Sequence, residues 1–424
     1  MNVNVGLVGC GVVGSGVARI LLKERKAIEA RTGLKLVLKR IVTKDLDNAT
    51  GVRIPDRLVG DDLADILDDD AIDIVVQVMG GTTTARQFMK RLLKAGKHVV
   101  TANKALLAEH GRELFALARE CGVTISFEAA VGGGIPVIGS LHQGYLANTI
   151  VSIVGILNGT SNYILTRMER GGMSYRDALA EAQAAGYAEA DPTLDVGGGD
   201  AAHKIMLLGV DFDAKDVYVE GIEHIDLCDI RYAQTLGYRV KLLGIAKRVD
   251  EGVEVRVHPT LVSLKDTLAY VPGNFNAIEI DGDAVGPTML YGQGAGQMPT
   301  ASAAVSDVIN VAMGRAQAAF ERLALTPDRI ERAPLVSIGD IQSRFYLRLA
   351  VLDTPGVMAE VTKVLGDRGI SILSVVQKEV NQDKAVPLVM MTHHCRESDM
   401  ERAVGKIAGL DCVKGKPCLI RVRA

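Results

Sequence analysis

Short apolar segments alternate with amphipathic segments of helical periodicity over the first 130 residues. The apolar segments predict strands at residues 3–8, 35–42, 73–79, 97–101 and 123–127. Between the third and fourth strands, residues 85–95 are predicted to form an amphipathic helix that ends before Gly96, a residue suited to a left-handed helix end. Strands that alternate with helices of this length are typical of a parallel, doubly wound Rossmann-like sheet.

The pattern changes after residue 136. Strand-like stretches at 149–156, 242–246 and 253–259 lie among helical segments, which predicts a central α+β domain. Residues 301–323 have the spacing of one long helix with its core positions on a single face. Residues 326–339 are mixed in polarity, contain two prolines and are predicted to form a linker.

The C-terminal segment has the order of elements β-α-β-β-α-β. Its predicted strands are residues 345–351, 372–378, 386–392 and 418–422, and its predicted helices are 359–367 and 397–408. A small separate α+β module is therefore expected at this end of the chain.

Composition narrows the classes of protein. A length of 424 residues favours two or three domains, and 48% hydrophobic with 23% charged residues is ordinary for a soluble globular protein. A net charge of -3 without a basic run argues against nucleic-acid partners, and the chain has no apolar run of the roughly 20 residues that cross a membrane. Six scattered cysteines and no secretory signal predict reduced thiols in the cytoplasm.

A glycine turn follows the first predicted strand and precedes residues of helical spacing. It reads Gly9-Cys10-Gly11-Val12-Val13-Gly14. In the context of strand, turn and helix, such glycines permit a sharp bend and the close approach of a pyrophosphate to the helix N-terminus. The turn therefore predicts a dinucleotide site that includes Gly9, Gly11 and Gly14.

The end of the second strand bears on the choice of cofactor. An acidic residue there would bind the ribose hydroxyls of NAD, and this chain has none. Arg40 and Lys44 stand there instead and are candidates to bind a 2'-phosphate, which favours NADP(H) with NAD(H) as the alternative. The other interpretation is that both are solvated surface cations.

Residues 186–204, GYAEADPTLDVGGGDAAHK, concentrate the charged candidates. The carboxylates are Glu189, Asp191, Asp195 and Asp200, and Lys204 follows. One interpretation is that Asp200 caps a helix and pairs with Lys204 four residues later. The other is an amino-acid-binding site, in which carboxylates bind an ammonium group and a lysine transfers a proton.

The sequence closely resembles homoserine dehydrogenase across residues 1 to about 320. The matching segments stand in the family's order: the glycine turn at 9–14, TANK at 101–104, FEAAVGGGIP at 127–136, ILNGTSNY at 156–163, the segment 186–204, and YGQGAG at 291–296. The segment 186–204 is the most specific of these.

The resemblance implies roles for individual residues. Lys204 matches the family's proposed proton donor, Lys104 a second active-site lysine near substrate and nicotinamide, and Asp195 a further active-site carboxylate. The implied substrate-binding residues are Glu189, Asp200 and Gly186. The implied cofactor contacts, besides the glycines, are Val12, Val13, Thr101, Lys104 and Gly296.

The resemblance also implies a site for a monovalent cation, Na⁺ or K⁺. Its ligands would be the Glu128 carboxylate and the carbonyls of Val131, Gly133 and Ile135. Ligation by oxygen alone suits a hard cation. The same glycine-rich segment also has the composition of a hinge between domains, and the two interpretations are compatible.

The tail resembles an ACT domain, in which a DxPGV turn commonly helps to bind an amino acid. The matching residues are Asp353, Gly356 and Val357. Threonine is the expected effector, and the alternative is an oligomerisation module without a ligand. Since ACT domains usually pair side by side, a homodimer or homotetramer is expected.

The resemblance implies reversible, NAD(P)H-dependent reduction of L-aspartate 4-semialdehyde to L-homoserine in threonine, methionine and isoleucine biosynthesis. Expected domains are 1–135 for nucleotide binding, completed by 296–325; 136–295 for substrate binding and dimerisation; a linker at 326–343; and 344–424 for regulation. The alternatives are a reductase of another small amino-acid aldehyde and an amino-acid sensor that has lost catalysis.

Overall fold

A computed structural model describes residues 1–44, 46, 49–208, 216–250, 252–330, 333–377 and 385–423. The chain forms two compact units that do not follow chain order. Unit 1 comprises Met1–Ile153, His203–Asp216 and Asn276–Ala333, and unit 2 comprises Val154–Ala202, Val217–Phe275 and Pro334–Ala424.

The strands of the described residues are, in chain order, β1 Asn2–Val8, β2 Lys35–Val42, β3 Val59–Gly60, β4 Ile74–Gln77, β5 His98–Thr101, β6 Ile125–Ser126, β7 Ile150–Ile156, β8 Tyr218–Val219, β9 Tyr238–Val249, β10 Gly252–Ser263, β11 Phe275–Gly282, β12 Gly286–Gln293, β13 Gln342–Val351, β14 Ile372–Val376, β15 Val386–Thr392, β16 Cys395–Arg396 and β17 Val413–Val422.

The helices are α1 Val12–Lys23, α2 Arg25–Thr32, α3 Ala64–Leu67, α4 Thr83–Lys94, α5 Lys104–Glu120, α6 Val137–Gln143, α7 Gly159–Gly171, α8 Tyr175–Ala184, α9 Thr193–Val196, α10 Gly199–Met206, α11 Leu227–Thr235, α12 Gln297–Ala312, α13 Arg315–Arg322, α14 Val357–Gly366 and α15 Glu397–Ala408. Within the described part of the chain, no helix combines the length and the apolar character needed to cross a bilayer.

Unit 1 contains a six-stranded sheet in the order β3-β2-β1-β4-β5-β6, and every pairing in it is parallel. This confirms the predicted doubly wound fold. The strand order reverses beside β1, and such a switch point leaves a crevice at the carboxyl ends of the strands. The residues that follow β1, β4 and β5 therefore form the candidate cofactor edge.

Helix α12 packs against α1 in unit 1. Gly16 allows the close approach, because a Cβ built there would lie 2.9 Å from the Cβ of Ala301. The predicted single helix at 301–323 is wrong in one respect: α12 ends at Ala312 and a new helix starts at Arg315. Gly314 separates them with φ +72°, a left-handed conformation that ends α12.

Unit 2 contains the strand order β9-β10-β17-β13-β15-β14. The hairpin β9–β10 is antiparallel, whereas β10 pairs in parallel with β17, so that Thr260 lies beside Arg421. The C-terminal module thus adds its sheet to the central strands of the same unit.

The C-terminal module has the predicted β-α-β-β-α-β order in β13, α14, β14, β15, α15 and β17. The ACT fold is confirmed, and α15 has the predicted bounds. Strand β14 ends at Val376, and residue 378 of the predicted strand lies outside the described residues. Buried side chains of both helices, among them Leu365 of α14 and Ile407 of α15, pack in one core with strand side chains such as Phe345 of β13.

Candidate active site

The glycine turn after β1 leaves no space for a side chain at Gly9 or Gly14. Gly9 has φ +90°, and a Cβ there would lie 2.9 Å from the backbone nitrogen of Met79. At Gly14 a Cβ would lie 2.1 Å from the carbonyl oxygen of Gly9, whereas the space before Gly11 is open. Because α1 starts at Val12, its first amides have no acceptor within the helix, and a pyrophosphate fits such a helix N-terminus.

Val12 supports the same interpretation of this edge. Its apolar side chain is 55% exposed at the first position of α1, beside the exposed Gly11. An exposed apolar side chain beside an open glycine turn is suited to packing against a nucleotide.

The TANK segment lies at the end of β5, on the same edge of the sheet. Asn103 caps α5 by accepting a 3.0 Å hydrogen bond from the Leu106 amide, and its Nδ2 donates to the carbonyls of Met79 and Gly81. The Thr101 hydroxyl donates to the Gln77 side-chain oxygen at 3.1 Å. These bonds fix the start of α5, so Lys104 stands half-buried at the carboxyl ends of the strands.

The loop before α12 approaches the glycine-rich segment closely. A Cβ at Gly133 would lie 2.6 Å from the carbonyl carbon of Gly294, and the Gly134 amide donates to the Gln293 carbonyl at 3.0 Å. Gly296 has φ +120° immediately before α12, and Gln297 then donates to the Ser15 hydroxyl of α1 at 2.9 Å. Gly296 is thereby tied to the helix that follows the glycine turn.

Arg40 and Lys44 differ in their surroundings. Arg40 is paired with Asp65, to which its Nε donates at 3.0 Å, and it also donates to the Arg57 carbonyl at 3.3 Å. Lys44 is exposed just beyond β2. Lys44 is thus the more accessible of the two candidate phosphate ligands.

Two carboxylates of the segment 186–204 come together in unit 2. The Asn158 side-chain amide donates to Asp195 at 2.7 Å and to Asp200 at 2.8 Å. Its oxygen accepts from the Ser161 amide at 2.7 Å, so Asn158 also caps α7. Since the oxygen is engaged by that cap, the NH₂ group must face the acids, and the two carboxylates converge on one donor.

Asp200 and Lys204 both lie on α10, four residues apart, and both side chains are buried. Asp195, on the short helix α9, is half-buried. Gly186 and Glu189, by contrast, are exposed after α8, where the Gln183 side chain donates to the Glu189 carbonyl at 3.1 Å.

The candidate cation segment contains two neighbouring acids in unit 1. Glu128 accepts hydrogen bonds from the amides of Ile138 at 2.8 Å and Gly139 at 2.6 Å, and its own amide donates to Asp307 at 2.9 Å. Burial raises the pKa of Glu128, against the lowering effect of these amides. Burial and then the charge of Glu128 raise the pKa of Asp307 to about 8.

A cleft beside these acids is lined by Gly134, Gly139, Gln143 and Asn310 as well as by Glu128 and Asp307. Among the described residues, no group of three or more His, Cys, Asp or Glu side chains is arranged to bind a metal ion. A site made of one carboxylate and backbone carbonyls does not need such a group, and two buried acids favour a cation. The residues present therefore fit a hard monovalent ion.

In the C-terminal module, the predicted regulatory turn connects β13 to α14. Asp353 accepts a 3.2 Å hydrogen bond from the Gln377 side chain, and Gly356 has φ +97° immediately before α14. Val357 is buried at the first position of that helix.

Sequence reasoning missed two residues that organise these sites, Asn158 and Asp307. The sequence indicates a capping role for Asn158, because an asparagine directly before a helix is a preferred N-cap. The indication for Asp307 is weaker: it is the one charged residue in the sequence of α12. Neither signal identifies the partner across the fold.

Three family models match the chain. Residues 9–128 match "Homoserine dehydrogenase, NAD binding domain", residues 136–309 match "Homoserine dehydrogenase", and residues 345–412 match "ACT domain".

Individual relatives of the chain point to the same family as these models. The homoserine dehydrogenase of Pseudomonas aeruginosa is 42% identical over 99% of this chain and 98% of its own length. The crystal structure of a homoserine dehydrogenase from Thiobacillus denitrificans is 42% identical, with a TM-score of 0.91 over 100% of this chain and 98% of that one. A hyperthermophilic archaeal homoserine dehydrogenase mutant in complex with NADPH is 27% identical, with a TM-score of 0.61 over 74% of this chain and 98% of that one.

Proposed function

The chain belongs to the homoserine dehydrogenase family, and on this basis we propose the roles of its residues in substrate binding, cofactor binding and catalysis. It is an NAD(P)-dependent oxidoreductase of amino-acid biosynthesis, which interconverts L-aspartate 4-semialdehyde and L-homoserine. The biosynthetic branches it serves are, in this proposal, those to threonine, methionine and isoleucine.

The observation that carries the assignment of the substrate site is the shared Asn158 donor. It holds Asp195 and Asp200 together, and Lys204 lies one helical turn after Asp200 on α10. Two adjacent carboxylates favour binding of the substrate ammonium group, because a cation between them relieves their repulsion. Glu189 and Gly186, for which the family resemblance also implies substrate binding, are exposed and are proposed to contact the substrate once it binds.

Lys204 is proposed to act as the general acid in the reductive direction. When bound, the reduced nicotinamide supplies the hydride. Lys204 stabilises the negative charge that develops on the aldehyde oxygen and delivers a proton from its Nζ to that oxygen. Lys104, at the start of α5, is proposed to orient the substrate beside the cofactor edge.

NADP(H) is the proposed cofactor, and NAD(H) is the alternative. The amides at Gly11, Val12 and Val13 would bind the pyrophosphate, while Thr101 and Gly296 would line the remainder of the cofactor site. Lys44 is proposed to bind the 2'-phosphate, with Arg40 contributing less because Asp65 already pairs with it. The NADPH named for the archaeal relative supports this choice.

A monovalent cation is proposed at Glu128 and the carbonyls of Val131, Gly133 and Ile135. There it would fix the glycine segment that lies against Gly294. The C-terminal module is proposed to bind threonine at Asp353, Gly356 and Val357. A cytoplasmic homodimer or homotetramer completes the proposal. It is supported by six cysteines, all among the described residues, that form no disulfide, and by the ACT fold.

Turnover with both cofactors tests these assignments. Reduction of aspartate 4-semialdehyde is followed by loss of NADPH or NADH absorbance, with and without millimolar threonine. Lys44→Ala should raise KM for NADPH while KM for NADH stays constant, and Arg40→Ala should have a smaller effect. Equal changes for both cofactors would contradict the phosphate assignment, and unchanged activity with threonine would contradict the effector assignment.

A further inference from the structure

Arg421 of the C-terminal strand β17 is a buried junction between separate segments of unit 2. Its side chain is only 4% exposed. It donates to the Glu397 carboxylate at 3.0 Å and 2.5 Å, to the Tyr218 hydroxyl at 2.9 Å, and to the Glu220 carboxylate. Glu397 belongs to the C-terminal module, whereas Tyr218 and Glu220 belong to the central part of the chain.

Glu220 is held as a charged group at this junction. Burial alone would raise its pKa, but hydrogen bonds from His224 and Arg421, with the Arg421 charge, outweigh burial and lower the pKa to about 2. Tyr218 adds a hydrogen bond of 2.9 Å to the same carboxylate. The Glu220 backbone is fixed as well, because its amide donates to the Val257 carbonyl of β10 at 2.8 Å.

The two residues after Glu220 pack directly on the substrate segment. The Ile222 amide donates to the Val196 carbonyl at 2.8 Å, and a Cβ at Gly221 would lie 2.3 Å from that same oxygen. On the other side, Gly198 has φ +88°, and a Cβ there would lie 3.0 Å from the Val219 side chain. Segments 219–222 and 196–198 are therefore in backbone contact, without room for side chains between them.

Residues 196–198 connect the two proposed substrate carboxylates. Asp195 precedes them, with its carbonyl bound by the Ser161 hydroxyl at 3.0 Å, and Asp200 follows two residues after Gly198. A shift of segment 219–222 would therefore move both acids relative to Asn158.

We propose that Arg421 is a positioning residue for the Asp195 and Asp200 carboxylates, acting through Glu220 and the contact of Gly221 and Ile222 with Val196. The C-terminal module thereby contributes to substrate binding in addition to any effector site. This inference rests on the proposed substrate role of the two acids. Because a misplacement of about 1 Å changes catalysis by as much as roughly 10²-fold, even a small displacement is measurable.

The test compares Arg421→Met with a matched variant, Arg348→Met. Arg348 also joins the C-terminal module to the central part of unit 2, because it donates from β13 to Asp229 of α11 at 2.6 Å and 2.9 Å. Its contact lies on α11 rather than on segment 219–222. Arg421→Met removes the arginine that pairs with Glu397 and Glu220, and Arg348→Met removes the arginine that pairs with Asp229. Both variants lose an ion pair between the module and the central part, so the comparison separates positioning of the substrate segment from general loss of stability.

We expect Arg421→Met to raise KM for homoserine by about tenfold, with a smaller change in kcat and with the Kd of NADPH unchanged. Arg348→Met should lower thermal stability and leave KM for homoserine near the wild-type value. Hydrogen–deuterium exchange should increase in a peptide covering residues 192–202 of Arg421→Met, but not of Arg348→Met. Arg421→Lys keeps the positive charge and one donor nitrogen. Its KM for homoserine should therefore lie between the values for Arg421→Met and the wild type.

Equal effects of the two methionine variants on KM and on exchange in 192–202 would overturn the proposal. If Arg421→Met does not fold, Glu220→Gln, which keeps the side-chain shape and weakens the same link, is measured in its place with the same expectations. Exchange is measured on the protein without substrate, so it reports on Arg421 even if wild-type turnover with homoserine fails. Failed turnover would count against the proposed function, whereas unchanged exchange would count against this inference.

Discussion

The Asn158 side-chain amide donates a 2.8 Å hydrogen bond to the carboxylate of Asp200. The second hydrogen of the same NH₂ group serves Asp195 at 2.7 Å. One neutral donor thus holds two acids at the same place. In the proposed function, this pair of acids binds the substrate ammonium group.

Asn158→Ala should raise KM for homoserine by about 10- to 100-fold, because hydrogen bonds to charged groups contribute roughly 1.5–3 kcal/mol and each 1.4 kcal/mol is a factor of ten. The variant also loses the α7 cap, which costs about 1 kcal/mol of stability. Steady-state kinetics and thermal unfolding measure the two effects.

Ser174→Ala is the control for the lost cap. Ser174 caps α8 by accepting from the Asp177 amide, away from the two acids. It should lower stability to a similar degree and leave KM for homoserine unchanged. A KM in Asn158→Ala equal to that in Ser174→Ala would show that Asn158 is only a helix cap.

Lys204→Ala should lower kcat by about 10²- to 10⁴-fold, the range typical of general acid–base groups, while the Kd of NADPH changes little. The physical reason is that the lysine acts on charge that develops only during the reaction. Presteady-state hydride transfer and NADPH fluorescence titration measure the two quantities. Parallel losses in kcat and in NADPH affinity would assign Lys204 a positional role instead.

Glu128→Gln should abolish stabilisation by Na⁺ or K⁺. In the wild type, we expect a bound cation to raise Tm by linkage, by about 1 °C for each 1 kcal/mol gained, because the entropy of unfolding is about 2.1 cal/mol/K per residue and the chain has 424 residues. The glutamine keeps the side-chain shape and an acceptor for one of the amides of Ile138 and Gly139, but it lacks the charge. Choline chloride at equal ionic strength is the control. An equal salt response in both proteins would remove Glu128 from the cation site.

The nucleotide edge could be predicted from the sequence because its determinants are local. Six residues, a glycine turn between a strand and a helix, indicate both the fold and the ligand at this edge. Elsewhere too, local patterns gave correct bounds, for β2 and for α15 of the C-terminal module. The break in the predicted helix at 301–323 was missed because Gly314 interrupts apolar positions that continue on both sides.

The contacts of the substrate segment could not be predicted in the same way. Asn158 meets Asp200 from 42 positions away, and Arg421 meets Glu220 from 201 positions away. Periodicity describes which face of an element is buried but not which element covers it. Such pairings are fixed only when the strands of unit 2 assemble.

Lys241 illustrates the same difficulty and leads to a prediction about pH. It lies in β9, and its side chain is 2% exposed. Its ammonium group donates to the Asn162 side-chain oxygen at 2.9 Å and to the Val271 carbonyl at 2.7 Å. Burial lowers the pKa of Lys241 to about 8, against the raising effect of Glu169.

Wild-type stability should therefore rise with pH relative to Lys241→Met. Below about pH 8 the lysine is protonated in the folded and unfolded states, and the cost of burying its charge is constant. Between about pH 8 and pH 10.4 the unfolded state binds more protons, so the free energy of unfolding increases, by roughly 3 kcal/mol at about 1.36 kcal/mol per pKa unit. Urea unfolding at pH 7.5 and pH 10.5 measures this gain. Lys247→Met, at an exposed position of the same strand, is the control; an equal pH response in both variants would refute the assignment.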